Sequence, residues 1–131
     1  MSRIDIWFAN NVAQINNKID EFYSISNRVS KLHNYKDPNR VQTMDGFVMD
    51  LKKEIYESYE SGETVDTQAM SDDFVKPIFK HIAPIYKSTN PDEDFELLVQ
   101  KWWREFDMLL TDMNLALSRI LAENLSRRLL L

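Results

Sequence analysis

Residues 91–131 read PDEDFELLVQ KWWREFDMLL TDMNLALSRI LAENLSRRLL L, and the fold is decided there. After Pro91 the stretch holds neither Pro nor Gly, so nothing in it interrupts a helix. As one helix it would be about 55–60 Å long at 1.5 Å per residue, far beyond an ordinary globular helix. Pro at the first helical position, with Asp92, Glu93 and Asp94 in the first turn, suits the positive end of the helix dipole. The predicted helix therefore runs over 91–128. Its seam is Phe95, Val99, Trp102, Phe106, Leu109, Met113, Ala116 and Ile120, and a second row, Leu98, Trp103, Leu110 and Leu117, widens the apolar face. Past Ile120 the register drifts. Leu121, Leu125 and Leu129 follow at four-residue steps on another face, and the chain ends Leu129-Leu130-Leu131.

Working back from this helix, residues 4–32 repeat apolar side chains at three- and four-residue steps: Phe8, Val12, Ile15, Ile19, Phe22 and Val29, with Ser26 in the seam. A polar seam residue and aromatic knobs predict one arm of a bundle rather than a regular coiled coil. Asp37-Pro38-Asn39 is a turn signal. A second helix is predicted over 43–60 on the seam Met44, Val48, Leu51, Ile55 and Tyr59, with Phe47 alongside and Gly62 as its stop. Residues 63–73 have no period and read as a loop or a short turn of helix. A third, short helix over 73–87 uses Phe74, Ile78, Ile82 and Ile85. Asp73 as its N-cap would make Pro77 harmless, and Pro84 is expected to end or kink it near Ile82.

The expected fold is thus all-α: a single domain over 1–131, a bundle of about four helices with long first and last members, and a protruding interaction segment over 121–131. With 131 residues, 44% hydrophobic and 28% charged, the chain has enough apolar surface for one core. Two Gly and four Pro disfavour a many-stranded fold. The absence of Cys excludes disulfides, thiolate metal sites and cysteine nucleophiles. No basic-then-apolar leader and no run of 18 apolar residues is present. The expectation is a cytoplasmic location, in a host cytoplasm or a virion if the source is viral, with no membrane span.

Signals for chemistry are sparse. His33 and His81 stand alone without ligand spacing, and Gly46 and Gly62 are too far apart to build a phosphate loop. Glu54 with Glu57 and Glu93 with Glu96 each set two carboxylates on adjacent turns, the one arrangement that could hold Mg²⁺. The pattern resembles all-helical nucleotide pyrophosphohydrolases, but the spacing between pairs departs from theirs and no Glu-x-x-Asp matches, so no residue is carried over. Arg28, Lys31, Lys36 and Arg40 form a basic cluster that could touch phosphates. Trp103, beside Lys101 and Arg104, could stack on a base. The net charge of −5 weighs against nucleic acid as the main partner. A basic amphipathic helix lying on a lipid surface fits the last residues less well, because Glu123 and Asn124 interrupt it.

The predicted function is therefore non-catalytic and needs no cofactor: an assembly or adaptor protein that oligomerises, or docks on a larger protein, through its last helix. The predicted interface is Trp103, Leu117, Leu121, Leu125, Arg128, Leu129, Leu130 and Leu131. In its Asn-, Ile-, Lys- and Met-rich composition the chain is similar to small accessory or structural proteins of tailed phages. A nucleic-acid-binding accessory protein and a Mg²⁺-dependent phosphohydrolase are the alternatives.

Overall fold

The computed structural model describes residues 2–26, 32–33, 41–42 and 44–130. Among them the architecture is an all-α bundle with long first and last helices. In chain order it comprises α1 (Arg3–Ser26), a two-residue antiparallel ladder of β1 (Leu32–His33) and β2 (Val41–Gln42), and α2 (Met44–Glu60). Then come α3 (Thr67–Met70), a π-helical turn (Ser71–Val75), α4 (Lys76–Thr89) and α5 (Phe95–Leu130). The ladder corrects the first predicted helix, which cannot extend to Leu32, because Leu32 pairs with Gln42. The Asp37-Pro38-Asn39 turn and Val29 lie outside the described residues.

The starts of α1, α3 and α5 each have a local cause. Ser2 Oγ accepts from Asp5 N–H at 3.1 Å while Asp5 Oδ2 accepts from Ser2 N–H at 3.2 Å, a reciprocal capping box for α1. Asp66 Oδ1 caps α3 by accepting from Ala69 N–H. For α5 the cap is Asp94, whose Oδ1 accepts from Leu97 N–H. The start at Pro91 was therefore four residues too early. Pro91 instead occupies a turn closed by Glu93 N–H donating to the Asn90 carbonyl, the setting in which a fixed φ is favoured at the second position.

The third helix is longer than its sequence suggests. It begins at Thr67, inside the predicted loop, and runs without a break through α4 to Thr89. Pro77 is consequently interior to a continuous helical run, and Asp73 is not its cap. The Pro77 ring needs room near residue 73, and the π turn over Ser71–Val75 widens the backbone there. Pro84 does not end α4. It sits exposed on the solvent side, and Lys80, four residues back, is also exposed, so water can reach the carbonyl that Pro84 leaves without a donor.

Helix α1 runs antiparallel to both α2 and α5. Toward one end Phe22 packs between Phe47 and Trp102, with ring centroids 5.8 and 4.6 Å away. Toward the other, the edge of Trp7 meets Tyr59 at 5.2 Å, and Arg3 pairs with Glu123. Lys18 pairs with Glu105, and the Lys18 backbone carbonyl accepts a hydrogen bond from the Trp102 indole N–H. Phe79, Phe95 and Tyr86 stack to join α4 to the start of α5. One contiguous apolar core runs through all of these layers.

At the α2 C-terminus, Gly62 adopts φ +76°. Glu63 N–H bonds the Ser58 carbonyl and Gly62 N–H bonds the Tyr59 carbonyl, which is a Schellman closure. The segment that follows is clipped to α5 by Asn114. Its Oδ1 accepts from Tyr59 Oη and from Val65 N–H, both at 3.0 Å, and its Nδ2 donates to the Val65 carbonyl at 2.8 Å. Burial of Tyr59 pushes its hydroxyl well above the usual phenol range, so it serves as a neutral donor.

Candidate functional site

Helix α5 has 36 residues, about 54 Å of rod, and its surfaces serve different ends. The core line is Phe95, Val99, Trp102, Phe106, Leu110, Met113 and Leu117, all buried. One flank, with Leu98, Lys101, Glu105 and Asp112 and edged by Met108, borders grooves against α1. The other flank, with Glu96, Gln100 and Trp103, faces α4.

Two of the expected interface residues belong elsewhere. Leu117 is 0% exposed and is part of this chain's own core, so it cannot meet a partner. Trp103 is half-buried against Trp102 and Phe106. It lines an apolar groove of about 440 Å³ between α4 and α5, with Val75, Phe79 and Val99 and with Lys76 and Lys80 on the rim. Lys101 lies on the opposite, α1-facing flank, so Trp103 and Lys101 do not form one stacking surface. Arg28, Lys31, Lys36, Arg40 and Leu131 fall outside the described residues, as does the side chain of Leu130.

Among the described residues no three Asp, Glu or His side chains converge, and Glu54 and Glu57 do not meet Glu93 and Glu96. Glu57 lies 3.9 Å from Lys53, and Glu93 accepts a hydrogen bond from Tyr86 Oη. The convergence that the phosphohydrolase alternative requires is missing there.

Among the described residues, the outer face of α5 carries a continuous row of exposed side chains. Met108, Thr111, Leu115, Ser118, Ala122, Leu125 and Leu129 all lie on it and all are exposed. The large members are strongly so: Met108 62%, Leu115 55%, Leu125 58% and Leu129 78%. Met108, Leu115, Ala122 and Leu129 recur every seven residues, with Thr111, Ser118 and Leu125 three positions after each of the first three. The seven form a heptad seam with no charge along about 33 Å of helix. Lys101 and Arg104 occupy the next two seam positions toward the N-terminus and close it off.

Sequence reasoning found only the distal part, Leu125 and Leu129. Thr111, Ser118 and Ala122 pass for ordinary solvent residues until Met108 and Leu115 are seen to share their face. Leu121 is only partly available. Its Cδ2 lies within 4.0 Å of the point where a Gly62 side chain would begin, next to Ile4. Intramolecular cover thus continues as far as the Arg3–Glu123 pair, about a turn into the predicted 121–131 segment.

Charged residues border the seam. Asp112 and Arg119 lie on one side, Asp107 and Arg128 on the other, and none of them joins the ion pairs among the described residues. No described helix is long and apolar enough to cross a membrane. No protein-family model, curated protein or solved structure matches this chain.

Proposed function

We propose that the protein is a non-catalytic assembly protein that associates with other protein through the outer face of α5. The observation that carries this reading is the uncharged seam from Met108 to Leu129, exposed on a helix whose opposite face is already filled by its own core. The seam exposes Met108, Leu115, Leu125 and Leu129 with only the small residues Thr111, Ser118 and Ala122 between them, and a helix face with apolar anchors at heptad spacing is a standard way for proteins to pair. The free turns after Glu123 add reach, because a partner can surround Leu125 and Leu129 without displacing any part of the bundle.

The test is a mass measurement in solution, by sedimentation equilibrium, on the full chain and on a chain ending at Asn124. The full chain is expected to associate in the micromolar range. The shortened chain, without Leu125 and Leu129 but with its core line intact, is expected to fold and to associate more weakly. Two monomers at every concentration would overturn self-association.

A further inference from the structure

We propose that the partner on the outer face of α5 is a second copy of this chain, and that the two helices lie antiparallel with the two-fold axis passing between residues 116 and 117. This rests on self-association through α5 and adds its direction and register. In an antiparallel pair each seam residue faces one on the other copy. Placing Leu115 against Ser118 sets Met108 against Leu125 and Thr111 against Ala122, so from 108 to 125 each large residue meets a smaller or flexible one, while Leu129 is the exception and lies along the aliphatic stem of Arg104 of the second copy.

The same register decides the charges. On one side of the seam Asp112 meets Arg119 of the second copy, and on the other Asp107 meets its Arg128. The two-fold axis doubles both, giving four oppositely charged contacts from four residues that have no ion-pair partner among the described residues of their own chain. A parallel pair does the reverse, because it brings Asp107 against Asp112 of the other copy on both sides. The costs of the antiparallel register fall at its ends, where Arg104 sits opposite Leu129 and comes near Arg128 of the second copy. Asp107, three residues from Arg104 on the same helix, stands between them.

Because the chain has no cysteine, introduced thiols report directly on register. Met108→Cys and Leu125→Cys are made separately at exposed positions and oxidised alone and mixed. In the antiparallel register residue 108 is about 25 Å from its own counterpart, so the single variants are not expected to cross-link while the mixture gives a 108–125 disulfide. Self-cross-linking of Met108→Cys in a dimeric sample would overturn the register while leaving self-association standing. A chain that is monomeric at all concentrations would overturn both.

Charge swapping gives a second readout. Asp112→Arg sets like charges against Arg119 at two symmetric places and is expected to weaken the dimer about tenfold. The double variant D112R/R119D re-pairs them and is expected to return to within about twofold of the starting affinity. If both variants associate like the unaltered chain, the register is wrong.

Discussion

Asn114→Ala tests how the segment between α2 and α3 is held, and its size can be worked out from the bonds it breaks. The Asn114 amide makes three hydrogen bonds: two accepted, from Tyr59 Oη and Val65 N–H, and one donated to the Val65 carbonyl. Each contributes about 1 kcal/mol net, and a polar group left buried without a partner costs about 1–3 kcal/mol. Tyr59 is 0% exposed and would keep only a long contact of 3.4 Å to the Leu110 carbonyl. Val65 is also buried, at 4% exposed, so water does little for its freed N–H and carbonyl, and three lost bonds at about 1 kcal/mol each put the total at about 3 kcal/mol. For a chain of 131 residues this corresponds to a fall in Tm of about 12 °C.

The assay is urea unfolding followed by circular dichroism, with amide exchange as a local readout. Val65 N–H is expected to lose protection in Asn114→Ala, while the α1 amides around Ile15 keep theirs relative to global stability. Tyr59→Phe removes only one of the three bonds and is expected to cost about 1 kcal/mol, with strong non-additivity in the double variant because both act on one network. Asn114→Asp keeps both acceptor bonds but turns the donor into a second acceptor facing the Val65 carbonyl. Protonation restores a donor, so this variant should gain stability relative to Asn114→Ala as the pH is lowered. An Asn114→Ala variant within about 1 kcal/mol of the original would refute the clip as a stabilising element.

Other outcomes follow from single contacts. Trp102→Phe deletes the hydrogen bond to the Lys18 carbonyl as well as volume and should cost about 2 kcal/mol. Trp7→Phe should cost less, since the Trp7 indole N–H is buried with no acceptor among the described residues; the opposite order in urea midpoints would contradict this. Gly62→Ala forces a Cβ into the left-handed region and 3.2 Å from Ile4 Cδ1, so a loss of about 1–2 kcal/mol by thermal unfolding is expected. Lys18 holds the Glu105 carboxyl below its usual value of 4.5, so the pair stabilises the fold above that pH and loses its effect as pH falls through the lowered value. Comparing urea midpoints of the original and Glu105→Gln should therefore show a gap at pH 7 that closes in acid. Leu117→Ala should cost about 3 kcal/mol of fold stability, whereas Leu125→Ala should leave stability within about 0.5 kcal/mol and weaken association instead.

The helices themselves were legible because burial follows period. Of the predicted seams, Ile15, Ile19 and Phe22 in α1, and Met44, Phe47, Val48, Leu51, Ile55 and Tyr59 in α2, are buried, while Phe8 and Val12 near the start of α1 are only half-buried. Two kinds of feature were not legible. A Pro inside a helical pattern reads as a break, and only the π turn and the exposure of Pro84 show how α4 accommodates two of them. Polar clips such as Asn114 carry no periodic signal at all, because their role comes from a partner about 50 positions away in sequence.

The seam of α5 failed in a more instructive way. Carried forward in strict heptads from Phe95 and Trp102 it leads to Leu109 and Ala116, but a straight helix has 3.6 residues per turn and drifts by about 20° per heptad. The buried line steps to Leu110 and Leu117, which is why Leu117 was placed at an interface and proves to be core. On the outer face Met108, Leu115, Ala122 and Leu129 do keep a strict seven-residue repeat, and such a repeat stays in register only against another helix that winds with it. The inner face has the period of a straight helix packed in a bundle, and the outer face has the period of a helix that supercoils with a neighbour. On the function proposed here, that difference in period, more than the apolar character of either face, separates the residues that build this fold from those that would meet a second chain.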